Sequence, residues 1–157
     1  MTQMVSELRH DAVTARKTRV TVTASTSSSS PQGVEFTMAA DYVDKGGKQE
    51  GDKLKFDPGA GPFDLKFDLD DTTSLGLAFY PEFVDAMWVA VGSSCPAGPG
   101  DGGGAITPRS VTDRKLNVTN ANSVAQTLAF ALRFTGTAPG GGKTTYAYDP
   151  KIINGGL

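Results

Sequence analysis

The run Phe63-Asp64-Leu65-Lys66-Phe67-Asp68-Leu69-Asp70 alternates apolar and charged residues without a break. Successive side chains of a β-strand point to opposite faces, so Phe63, Leu65, Phe67 and Leu69 line one face and Asp64, Lys66, Asp68 and Asp70 the other. A strand half in water and half in a core is the expected result. The same period recurs on both sides of this run. Arg19 to Ala24 is rich in β-branched residues, and Val34, Phe36 and Met38 share one face of a second strand. Leu54 and Phe56 form a short third strand, closed by Asp57-Pro58-Gly59.

Beyond the Asp71–Ser74 turn, Leu75 to Phe79 reads as another strand. The segment Phe83 to Val91 is ambiguous, because Pro81-Glu82 can open a helix. Met87-Trp88-Val89-Ala90-Val91 favours a strand buried on both faces, with Trp88 a candidate core tryptophan. Further along, Leu116 and Val118 alternate with Lys115, Asn117 and Thr119. Leu128, Phe130, Leu132 and Phe134 share a face opposite Ala129, Ala131 and Arg133. Thr144 to Tyr148 is the last clear strand, and Asp149-Pro150 stops it, since proline cannot donate to a ladder and restricts the residue before it. Two stretches are expected to be loops: Asp44 to Asp52, and the glycine- and proline-rich Ser93 to Pro108, which is expected to be mobile and to supply no core.

These patterns predict an all-β fold, an immunoglobulin-like antiparallel β-sandwich of about nine strands, with a closed barrel as the alternative. Residues 1–18 are read as a polar leader and 19–157 as a single domain. A chain of 157 residues can bury a core of ordinary size, and 38% hydrophobic residues suffice for a sandwich with solvated outer faces. A net charge of −2 gives no footprint for nucleic acid or an acidic membrane. The first nineteen residues lack the apolar core of a secretion signal, and with the unpaired Cys95 a cytoplasmic location is expected.

The ending of the chain carries a resemblance. Leu116-Asn117-Val118-Thr119-Asn120, Ala129-Phe130-Ala131-Leu132-Arg133-Phe134 and Tyr146-Ala147-Tyr148-Asp149-Pro150-Lys151-Ile152-Ile153-Asn154-Gly155-Gly156 resemble small bacterial β-sandwich proteins of the DP-EP family. The Tyr-x-Tyr-Asp-Pro-x-Ile ending is also similar to that of the AidA/PixA inclusion-body proteins. The resemblance implies a bacterial sandwich domain without an established activity, and it implies no site residues.

Chemistry is sparsely signalled. Gly136 to Thr144 resembles a phosphate-binding loop, but the required first glycine falls on Thr137 and a strand follows, so the segment reads as a hairpin turn. Asp64, Asp68, Asp70 and Asp71, with Asp57, form a candidate calcium set, although the first three alternate with core residues and simply face water. One His10 and one Cys95 exclude a disulfide within the chain and a His/Cys metal cage, and they leave little for nucleophilic catalysis. Tyr80-Pro81, Trp88, Tyr146 and Tyr148 are candidates for an aromatic binding patch, with burial in the core as the competing reading.

The expectation is therefore a non-enzymatic structural or protein-interaction module without a cofactor. Its partner is itself or another protein, with a homodimer formed through open sheet edges as the preferred route. The alternative is a calcium- or small-ligand-binding module, for example carbohydrate-binding, that uses the acidic turn or the 93–108 loop.

Overall fold

The computed structural model describes residues 15–157. Twelve strands and one helical turn follow each other as β1 (Arg16–Thr26), β2 (Val34–Val43), β3 (Gly47–Glu50), β4 (Lys53–Phe56), β5 (Phe63–Asp71), β6 (Ala78–Phe79), α1 (Phe83–Ala86), β7 (Met87–Val91), β8 (Ile106–Val111), β9 (Lys115–Asn120), β10 (Gln126–Thr137), β11 (Lys143–Tyr148) and β12 (Lys151–Asn154). They form two sheets. The five-stranded sheet has the order β2-β1-β5-β9-β8. The seven-stranded sheet runs β11-β10-β12-β4-β3, with β6 and β7 paired to β10.

An all-β sandwich is thus what the alternation specifies. Its pairing is mixed, however: β1 lies parallel to β5, and β12 parallel to β4. A parallel pair needs a crossover connection. Between β1 and β5 the chain supplies it by returning along β2 and visiting the other sheet as β3 and β4.

The inner faces meet in one core. Phe67 of β5 packs against Phe130 of β10 at 5.7 Å between ring centroids, and Phe36 of β2 stacks on Phe134 of β10 at 5.2 Å. Strand β5 is central in its sheet, so Phe63, Leu65, Phe67 and Leu69 are all buried, as their spacing requires. Strand β10 is central in the other sheet and is buried on both faces from Leu128 to Leu132.

The additional strands arise where local composition is a poor guide. Gly47–Glu50, expected as loop, pairs with β4, and its Glu50 bridges Lys48 and Lys55. Those two ammonium groups hold the Glu50 carboxyl down at about 2. Ile106–Val111 pairs with β9 at the other sheet's edge, where Pro108 is tolerated. The expected Leu75–Phe79 strand shrinks to Ala78–Phe79. Strand β1 starts at Arg16, inside the segment read as leader, and residues 1–14 lie outside the described residues.

The glycine-rich segment is tied down rather than free of the core. Val89 of β7 donates its N–H to the carbonyl of Gly100 at 3.2 Å and bridges Asp101. A Cβ on Gly100 would stand 2.6 Å from the Val89 carbonyl oxygen, so only glycine permits this approach. Ala105 and Ile106 at the end of the segment belong to the core. Two glutamines stitch the sheets together. Gln49 on β3 accepts the Ala40 N–H of β2 at 2.6 Å and donates to the Met38 carbonyl at 2.8 Å. Gln32 in the β1–β2 turn likewise accepts the Ala147 N–H of β11 at 3.1 Å and donates to its carbonyl at 3.0 Å.

Candidate functional site

Outward positions of the five-stranded sheet line up into rows across the strands. Register places Tyr42 of β2 beside Arg19 of β1, Arg19 beside Lys66 of β5, Lys66 beside Asn117 of β9, and Asn117 beside Ser110 of β8. With neighbouring strands about 4.8 Å apart, the row crosses the whole face. The next row carries Lys17, Asp64, Thr119 and Thr107. The first row, with Lys17 and Asp64 of the second, lines a cleft of about 520 Å³ that reaches from Tyr42 on one edge strand to Arg109 on the other.

Both ends of the cleft lie at irregularities in edge strands. In β2 the register slips so that Asp41 has no partner between Ala40 and Tyr42. In β8 it slips so that Arg109 has none between Pro108 and Ser110. A bulge inserts one residue, bends the strand and redirects a side chain. Here the two bulges face each other across the sheet at the level of the Arg19–Lys66 row.

The charges in the cleft are unevenly answered. Arg19 Nε donates to Asp68 at 2.8 Å. Asp64 accepts the Thr119 hydroxyl at 2.7 Å, and Arg109 reaches the same hydroxyl oxygen at 3.4 Å. Tyr42 gives its hydroxyl proton to Asp44, which also accepts the Lys17 N–H, so the Asp44 carboxyl lies below its usual range and the Tyr42 phenol above it. Lys17, Lys66 and Arg109 form no ion pair among the described residues.

The acids singled out by sequence do not converge. Asp64, Asp68 and Asp70 face outward from β5 alongside Lys17, Thr21 and Thr23, with the Lys66 row between the first two. Asp71 turns away to organise the following loop, accepting the Thr73 N–H and hydroxyl and the Leu77 N–H. Burial opposes ionisation of Asp71, yet those donors and the Arg114 charge keep its carboxyl below the ordinary range. Asp57 is exposed and is engaged through its backbone, its N–H donating to the Gly46 carbonyl at 2.8 Å and its carbonyl accepting from Asn122 at 3.1 Å. Among the described residues no three His, Cys, Asp or Glu side chains stand together as a metal set.

The remaining candidates have structural placements. His10 lies outside the described residues. Cys95 is exposed in its loop, and partial burial together with Asp149 pushes its thiol up, away from the reactive thiolate. Thr137 and Lys143 end and begin the β10 and β11 strands, so the phosphate-loop lookalike is a hairpin turn. The expected aromatic patch is divided between faces. Tyr146 and Tyr148 point inward, with hydroxyls bonded to the Thr137 carbonyl at 2.9 Å and to Asp52 at 2.5 Å. Trp88 is not a core residue: it lies half-buried on the outer face of the seven-stranded sheet, with the Arg133 guanidinium 3.8 Å from its ring centroid. Tyr80 covers the same guanidinium at 5.0 Å.

The basic cleft was not found from sequence. Lys66 stood out only as a charge among acids. Its neighbour Arg19 is 47 positions away and becomes adjacent through the parallel β1–β5 pairing.

No family model matches this chain, and no curated protein does. Among solved structures it is similar to an inclusion body protein (PixA) from Burkholderia cenocepacia J2315. That similarity has 9% identity and a TM-score of 0.37, over 88% of this chain and 95% of that one. Nothing in these comparisons supports the DP-EP resemblance, and a similarity this distant carries no conclusion about function.

Proposed function

We propose that this chain is a non-catalytic interaction module that meets its partner, a second copy or another protein, through a sheet face and not through a sheet edge. The observation that carries this reading is the pair of glutamine plugs. An exposed edge strand offers unpaired N–H and C=O groups to another chain. At Ala40 and Met38, and again at Ala147, a side-chain amide already supplies both the acceptor and the donor that an incoming strand would bring. The other edges are also unattractive. Strand β3 is four residues long and carries Lys48 and Glu50, while β8 holds Pro108 and a bulge. The homodimer expected through open edges is therefore not the route proposed.

The absence of catalysis in this reading is supported by how the polar groups are engaged. Asp44, Asp52, Asp64, Asp68, Asp71 and Glu50 each accept hydrogen bonds from neighbours in the frame. The Cys95 thiol is pushed toward its protonated form.

Sedimentation over a range of concentrations, comparing the wild type with Gln32→Ala/Gln49→Ala, tests the proposal. The double variant is expected to be heavier at every concentration, because two strand edges are unmasked. Equal masses would overturn it. So would a rise in melting temperature on adding millimolar calcium, since a ligand that binds only the native state stabilises it and the acidic segment would then be the site.

A further inference from the structure

We infer that the cleft on the five-stranded sheet is a binding site for a small organic polyanion bearing phosphate or carboxylate groups. This goes beyond the interaction-module reading and stands without it. The first ground is the lateral pair. Arg19 and Lys66 are register partners on the same outward face. Like charges directly opposite each other in a sheet destabilise it, and only Arg19 has a carboxylate partner among the described residues. Its contact with Asp68 uses Nε, so the two Nη groups have no acceptor among the described residues. A bidentate anion matches such a fork, and the neighbouring ammonium supplies the second charge.

Shape is the second ground. A volume of about 520 Å³ falls within the range of small-molecule pockets. An edge bulge lies at each end of it, beside the lining residues Tyr42 and Arg109. Four cations, Lys17, Arg19, Lys66 and Arg109, line it against one lining carboxylate, Asp64. Just outside the lining, Asp68 and Asp41 lie against Arg19 and Asp44 against Lys17, so the excess of cations is confined to the lining itself, where Lys66 and Arg109 form no ion pair among the described residues. The whole chain carries −2, so the lining of the cleft runs against the charge of the chain. Asn117 and Ser110 complete the row; the Asn117 amide donates to the Ser110 hydroxyl at 2.8 Å, which leaves the Asn117 carbonyl oxygen and the Ser110 proton for the neutral part of the ligand.

The test is titration of the full chain at low ionic strength with pyrophosphate in one arm and citrate in the other, followed by amide chemical shifts and melting temperature. Saturable shifts centred on Arg19, Lys66 and Asn117 are expected in at least one arm, weakening as salt is added. The arm that binds more tightly separates phosphate from carboxylate recognition. Lys66→Ala and Arg19→Ala should each weaken binding about tenfold, the loss of one charge-assisted contact. Lys53→Ala, an exposed lysine on the other sheet, should leave it unchanged. No saturable shift in either arm, shifts spread over the surface, or equal binding by Lys66→Ala and the wild type would each overturn the inference. Binding of polyglutamate alone would also overturn it, and would make the face a contact for an acidic protein.

Discussion

Arg133 and Lys66 hold equivalent positions, each a cation pointing outward from a strand with neighbours on both sides. Their surroundings differ completely. Arg133 on β10 is enclosed between the rings of Trp88 and Tyr80, and it donates to the Asp85 carbonyl at 2.9 Å. Lys66 on β5 stands beside Arg19 with no ion-pair partner among the described residues. One charge is part of the frame, and the other is available. The difference teaches that a charge in an alternating strand has no role by itself; the residues on the flanking strands decide it.

Substitutions along these two strands test that contrast. The largest effect is expected one residue from Arg133, on the inward face. Phe134→Ala removes a fully buried ring stacked on Phe36 and packed at a tilt against Phe79, and should cost about 3–5 kcal/mol in chemical unfolding. Arg133→Ala should cost about 1–2 kcal/mol, since two cation–π contacts and a hydrogen bond to the backbone are lost together. A value indistinguishable from zero would erase the distinction between the two sheet faces.

Tyr148 extends the contrast to a buried hydroxyl. Burial, and then the bond and charge of Asp52, push its phenol well above the ordinary value of 10.0. With the folded value raised, its stabilising contribution is complete below pH 10 and is lost as pH rises through the folded value. Tyr148→Phe should cost about 1 kcal/mol at neutral pH and should flatten the decline of stability in alkaline solution. A decline of unchanged steepness would assign it to other groups. Smallest of all, Lys66→Ala should change stability by less than about 0.5 kcal/mol, although it removes a charge from the middle of a sheet. A loss as large as that of Arg133→Ala would show that Lys66 belongs to the frame.

Period-two alternation made Phe63–Asp70, Leu128–Phe134 and Thr144–Tyr148 readable as strands, because a half-buried strand writes its two faces directly into the sequence. The hairpin near Gly136–Thr144 and the break at Asp149-Pro150 were legible for an equally local reason, since glycine and proline act on their own backbone. Strand β3 was not legible. Gly47-Lys48-Gln49-Glu50 has no apolar face, and it is a strand because β4 lies beside it and Gln49 reaches β2. Trp88 was misplaced for the same kind of reason. Its alternation with Met87 and Val89 is compatible with either face, and the Arg133 cation on the neighbouring strand holds it outside.

The sequence by itself therefore determined the class of fold, the inward set of apolar side chains and the main turns, all of which depend on residues a few positions apart. Only the tertiary structure decided the parallel β1–β5 and β4–β12 pairs, the two opposed bulges and the glutamine plugs. It also set Arg19 beside Lys66. Those features depend on which strands become neighbours and in what register, a choice made by packing two sheets around one core and not by any run of residues along the chain.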